Sequence, residues 1–142
     1  MYKVSGVPFE LMAQAIKEVT PFLEKVIPYT GGRYKVEDIV QALLKEQMKL
    51  WVAFSSLDQK ICGAIVTEIN QYPQKKYFTI LFCGGEKINE WDDQMHRLLE
   101  NVARKNKCDA IDISGRKGWI RYMKSYGYNE DHKYIEKDLS NG

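Results

Sequence analysis

The sequence predicts an α/β domain: a mixed sheet flanked by helices, with an antiparallel meander and one parallel strand–helix–strand crossover. Three observations carry this. Near the N-terminus, apolar residues recur at helical spacing. The middle holds β-branched and aromatic runs separated by turn residues. A long amphipathic segment then leads into a short strand, and a strand reached through a helical crossover pairs parallel to the one before it.

Leu11, Met12, Ala15, Ile16, Val19, Phe22, Leu23 and Val26 form one buried helical stripe. Pro21 interrupts it. Either the helix kinks there, or Thr20 caps a second short helix with Pro21 in its first turn. Pro28 and Gly31-Gly32 end the segment. A second helix reads from about Val36 to Gln47, with Ile39, Val40, Leu43 and Leu44 on one face. Leu50–Phe54 is a strand, Ser55–Lys60 a polar hairpin turn, and Ile61–Ile69 a second strand. Pro73 breaks the chain before a third, Tyr77–Cys83, and Gly84-Gly85 end it. Asn89 reads as the N-cap of the long helix, with Asp92 near its first turn. Trp91, Met95, Leu98, Leu99 and Val102 make that helix's stripe, and Arg104, Lys105 and Lys107 suit its C-terminal dipole. Ala110–Ile113 is expected parallel to Tyr77–Cys83. A short helix from Gly115, stopped at Gly127, and an alternating strand Lys133–Leu139 close the order.

At 142 residues the chain is expected to be a single domain, 1–142. Hydrophobic residues make up 44% and charged residues 28%, with a net charge of +2. Acids interrupt the bases throughout, which argues against a nucleic-acid face. No apolar run approaches the ~20 residues of a membrane helix. Met1–Gly6 lacks the apolar core of a signal peptide. Cys62, Cys83 and Cys108 form no Cys-x-x-Cys pair and have no nearby histidine to complete a zinc set, so reduced structural thiols and no metal are expected.

The order helix, helix, three antiparallel strands, long helix, strand, short helix, strand resembles the GNAT (GCN5-related N-acetyltransferase) superfamily without its first strand, of which Met1–Val4 could be a remnant. Trp51-Val52-Ala53, the close-passing step Cys62-Gly63-Ala64-Ile65-Val66, and Gly127-Tyr128 in place of the family's Gly-Phe carry the resemblance. The Gly115-Arg116-Lys117-Gly118-Trp119 start of the last helix is similar to that of small bacteriophage-encoded GNAT-like proteins. The resemblance implies a cytoplasmic protein, in a host cell if phage-encoded. It also implies acetyl-CoA as cofactor, a small-molecule or protein amine as acceptor, and a homodimer as one option. The cofactor's pantetheine would lie around Leu81–Gly85 (Leu81, Phe82, Cys83, Gly84, Gly85) and Ile111–Ser114. Arg116 and Trp119 would stand beside the cleft, a pair suited to an anionic or planar group.

Three departures bear on that chemistry. The glycines of Gly84-Gly85-Glu86-Lys87-Ile88-Asn89-Glu90-Trp91 come earlier than in the family's pyrophosphate loop, and Glu86, Glu90, Asp92 and Asp93 crowd the helix start. Four residues before Gly127, where many family members place a thiolate-protonating tyrosine, stands Met123, flanked by Tyr122 and Tyr126. Arg116 occupies the place of an asparagine.

Glu68 lies on the strand where some GNAT enzymes carry a general base; as a residue it reads more readily as a solvated strand position. His96, one step off the apolar stripe, and His132, in a turn, read as surface residues. Cys83, at a strand end, reads as a structural thiol, because neighbouring acids would raise its pKa. Two function classes follow. The preferred one is an acetyl-CoA-dependent N-acyltransferase, with Glu68 or a water aiding attack by the amine. The other is a GNAT-fold accessory, virion-associated or binding protein without transferase activity.

Overall fold

The computed structural model describes residues 1–113, 126–128 and 137–140. Their strands are β1 (Tyr2–Gly6), β2 (Lys49–Ser55), β3 (Ile61–Gln71), β4 (Lys76–Gly85) and β5 (Ala110–Ile113). Their α-helices are α1 (Met12–Val26), α2 (Val36–Leu44) and α3 (Ile88–Lys105). The strands form one sheet in the order β1-β2-β3-β4-β5. β1 to β4 pair antiparallel, and β5 returns parallel to β4 through α3. This is the expected mixed α/β sheet.

The sheet separates two cores. On one face Val19, Leu23, Ile39 and Leu43 of α1 and α2 bury Leu50, Val52, Ala64, Val66 and Phe82. On the other, Trp91, Met95, Leu99 and Ala103 of α3 cover Trp51, Ala53, Ile65, Phe78 and Ile80. Strands buried on both faces read as continuous apolar runs, as Leu50–Ala53 and Ala64–Val66 do. The buried Trp51 indole N–H donates to the Thr67 hydroxyl at 2.8 Å, so both polar groups are paired within the second core.

Four expectations are corrected. The first strand is present: Tyr2–Gly6 pairs residue by residue with Ser55–Trp51 of β2. α1 is continuous through Pro21, flanked by short 3₁₀ turns at Phe9–Leu11 and Ile27–Thr30. Thr20 does not cap; its hydroxyl donates back to the Ile16 carbonyl at 2.6 Å, inside the helix. α2 ends at Leu44 rather than Gln47. The N-cap of α3 is Lys87, in the left-handed region at φ 53°, and not Asn89. The expected short helix from Gly115 lies outside the described residues; Gly127, where it is expected to stop, has φ 91°. Of the expected strand Lys133–Leu139, residues 137–139 are described; they are exposed and carry no regular structure.

Gly63 has a packing reason. A Cβ built there would sit 2.4 Å from Cζ2 of Trp91, a ring that is 1% exposed and has nowhere to retreat. Gly63→Ala should therefore overpack the core by about 1–3 kcal/mol and lower the melting temperature by roughly 3–10 °C. An unchanged midpoint in a thermal melt would show that the ring yields. Thr67→Val keeps the shape but strands the Trp51 N–H, and should cost about 1–3 kcal/mol in chemical denaturation.

Candidate functional site

β4 and β5 pair from Tyr77–Ala110 to Ile80–Ile113. Across β4's other edge, the register with β3 shifts: Val66 faces Phe82 and Thr67 faces Ile80, so Leu81 is an extra residue, a β-bulge. A bulge adds local twist and bends its strand. β4 then continues to Gly85 along β3, past the last described pair with β5. Leu81, Phe82, Cys83, Gly84 and Gly85, the expected cofactor-facing run, are thus the part of β4 beyond its last described pair with β5.

The two glycines at its end are packed from opposite sides. A Cβ on Gly84 would lie 3.2 Å from the Phe22 carbonyl oxygen, so α1's backbone passes close there. A Cβ on Gly85, whose φ is 153°, would meet the Gly63 Cα at 2.6 Å and the Cys62 carbonyl oxygen at 2.7 Å. The Trp91 indole lies over Gly63 and Gly85, and its N–H donates to the Glu86 carbonyl at 2.8 Å. The Glu86 amide in turn donates to the Cys62 carbonyl at 2.7 Å. These contacts deliver the chain to α3. The Glu90 amide donates to the Lys87 carbonyl at 2.9 Å, while the Ile88 and Asn89 amides have no partner among the described residues. Among the described residues no side chain caps this end of the helix. Orphan amides at a helix start, here beside the Lys87 side chain, attract an anion.

The four acids do not act together. Asp92 accepts the Tyr126 hydroxyl at 2.9 Å. Asp93 pairs with Arg97 at 2.6 Å on the helix surface. Glu86 and Glu90 remain exposed at the loop.

On the α3 face, against the last described β4–β5 pair, lies a cavity of about 30 Å³, measured as room for the centre of a water-sized sphere. Ile65, Ile80, Ile113, Met95, Leu99 and Trp91 form its apolar wall, with Cys83 and Ile88. Asp92, His96 and Tyr126 complete it. His96 is not the surface residue its place in the sequence implies. Its side chain is 12% exposed, its ring stacks on Tyr126 at 4.4 Å between centroids, and Tyr128 meets it edge-on at 5.5 Å. Burial lowers the His96 pKa, against the opposing charges of Glu100, Asp93 and Asp92. The Tyr126 hydroxyl is pushed up to about 12, first by burial, then by its hydrogen bond to Asp92 and the charges of Asp92 and Asp93. Burial, with Glu100 and Asp112, raises Tyr128 as well. Burial also raises the Cys62 and Cys108 thiols, which keeps them protonated.

Glu68 stands on the opposite face. Strand alternation places it with Val66, toward α1 and α2. It faces Thr79 on β4, which faces Asp112 on β5. The Asn70 side-chain amide donates to the Glu68 carboxylate at 3.3 Å and to the Thr79 hydroxyl at 2.9 Å. Asp112 Oδ1 is buried with no hydrogen-bond partner among the described residues. Glu68 therefore sits on the paired part of the sheet, one position after Thr67, whose pair with Ile80 borders the bulge. Ser114, Arg116, Trp119 and Met123 lie outside the described residues. The aromatic cluster around His96 was missed because its members are distant in sequence; only His96's position beside the α3 stripe could have signalled it.

No protein-family model matches the chain, and no curated protein matches it. Solved structures do. A predicted acetyltransferase with acetyl-CoA from Clostridium acetobutylicum superposes with TM-score 0.73 at 14% identity, covering 100% of this chain and 99% of that one. An aminoglycoside acetyltransferase from an uncultured soil metagenomic sample gives 0.73 at 12% identity, with 99% of each chain covered. A probable acetyltransferase gives 0.72 at 11%, with 96% of each covered. The fold is that of the GNAT acetyltransferases. Among the described residues no helix is long and apolar enough to cross a membrane.

The lowered His96 pKa has a pH consequence. The unfolded chain takes up a proton near the ordinary histidine pKa of about 6.5, whereas the folded chain resists until lower pH. Stability should fall as pH drops below about 6.5. His96→Phe should flatten that slope in denaturant titrations at pH 7.5 and 5.5; an unaltered slope would place its origin elsewhere.

Proposed function

We propose that this chain is a GNAT-type N-acyltransferase that moves the acetyl group of acetyl-CoA to an amine. The observation that carries the reading is the Leu81 bulge, after which β4 runs on to Gly85, beyond its last described pair with β5. It leads the Leu81–Gly85 run into a helix start whose first two amides have no partner among the described residues. A strand edge offers alternating donors and acceptors to an amide-bearing chain. The Ile88 and Asn89 amides and Lys87 would hold the pyrophosphate. These groups fit the cofactor.

Bound acetyl-CoA would supply an activated acyl carbon: the amine nitrogen bonds to it, the C–S bond breaks onto sulfur, and the amine's proton balances the one the thiolate gains. Glu68 would receive the amine's proton, directly or through a water, from the α1/α2 face. Asp112, with its unpartnered oxygen on the same face, would help orient a cationic amine. Tyr126, held protonated by burial and by Asp92, serves on the α3 face to order the wall of the cleft.

A second reading has one observation behind it. The exposed Glu86 and Glu90 flank the anion site, as a phage accessory or virion-associated protein that never binds CoA could tolerate.

Thermal shift with acetyl-CoA separates the two. A dissociation constant of 100 μM at 1 mM ligand stabilises by about 1.4 kcal/mol, raising the melting temperature by roughly 3–5 °C. Lys87→Glu should reduce that shift. No shift with the wild-type chain at millimolar acetyl-CoA would refute the transferase reading and leave the second.

A further inference from the structure

The cavity under α3 is a poor fit to the rest of a close-packed interior. Cores hold few voids larger than a water molecule, and an empty one forfeits the dispersion contacts of its lining. Here the walls are carbon from both layers: Ile65, Ile80 and Ile113 from the sheet, Met95 and Leu99 from α3. The three polar residues do not make it a polar site. The Tyr126 hydroxyl is committed to Asp92, and the His96 ring is covered by Tyr126 and Tyr128. Nothing in that arrangement asks for a charged or hydrogen-bonding ligand. Met95, unbranched and flexible, forms a wall that adapts to what it covers.

Position decides what such a pocket would take. Ile80 and Ile113, the last described pair of β4 and β5, both line the cavity, and so does Cys83 of the Leu81–Gly85 run. The cavity therefore lies against the same stretch of β4 that the transferase reading gives to the thioester. A thioester laid along Leu81–Gly85 would bring its acyl end to this point.

We propose that the cavity is an acyl-chain pocket, and that the preferred donor carries a short alkyl chain longer than acetyl. This rests on the transferase reading and names its donor class. The room available, about 30 Å³, corresponds to roughly two or three water-sized groups at 10–15 Å³ each. The chain it accommodates is thus two or three carbons longer than acetyl, as in butyryl or pentanoyl thioesters. Burying each added methylene should tighten binding about fourfold.

The test is isothermal titration of the full chain with free CoA, acetyl-CoA, butyryl-CoA and octanoyl-CoA. Butyryl-CoA should bind about tenfold or more tighter than acetyl-CoA, with little further gain at octanoyl-CoA. Leu99→Phe, which fills the cavity from α3, should collapse the butyryl-to-acetyl affinity ratio toward one. Ile113→Phe fills it from the sheet and serves if the first variant does not fold. Affinity that is flat from acetyl to butyryl while CoA binds would overturn the pocket and leave the transferase reading intact. A ratio that survives both substitutions would also overturn it, because the chain would then lie elsewhere. Failure of CoA and every thioester to bind would overturn both.

Discussion

The seat of Trp91 is the contact on which the rest of the arrangement depends. Its ring fills a notch that exists only because residues 63 and 85 have no side chains. Its N–H fixes the Glu86 carbonyl, and the Glu86 amide is held by Cys62. One residue of α3 thereby locks the helix to β3, to the end of β4 and to the loop between them. With the loop pinned on both sides, Lys87 takes the left-handed conformation and α3 starts one residue later. The uncapped amides at that start face where they do because the indole leaves the loop no other path. Aromatic burial of this size contributes several kcal/mol, more than any surface contact near the site.

The Leu81 bulge does the complementary work. It inserts one residue into β4, so that Ile80 faces the α3 core while both Leu81 and Phe82 pack toward α1 and α2. The strand bends where the extra residue sits, and it runs on along β3 past its last described pair with β5. Glu68 and the apolar cavity consequently lie on opposite faces of the sheet. In the transferase reading an acceptor would arrive from one side and the acyl donor from the other.

The fold was legible because its signals are local. Element order, the two amphipathic stripes and the parallel return through α3 all follow from periodicity within one segment. What was not legible depended on partners far away. Asn89 is a better cap by residue type than Lys87, but the Trp91 seat overrides that preference by fixing the loop. Tyr2–Gly6 has too little alternation to read as a strand, and only β2 beside it makes it one. Leu81 is an ordinary strand residue in sequence; an extra residue is visible only against the β3 register. His96 looked exposed because it flanks the stripe, yet Tyr126 and Tyr128 cover that flank from the end of the chain. The glycines at 84 and 85 stand too early for a phosphate loop because each serves packing instead.

The acids at the start of α3 are the strongest objection to an anion there, and partnership reduces it. Counted along the sequence they are four against one lysine. In the structure Asp92 is satisfied by a hydroxyl and Asp93 by a guanidinium, so neither presents a bare charge to the loop. The opposition falls to Glu86 and Glu90, both exposed and facing water. Two exposed unit charges 4 Å apart interact by about 1 kcal/mol in bulk water, and salt screens them further. Uncapped amides and the helix dipole act at contact distance, where the dipole alone is worth about 0.3–1 kcal/mol and each charge-assisted hydrogen bond more. The short-range donors therefore outweigh the exposed carboxylates, and the helix start remains a place where a pyrophosphate can bind.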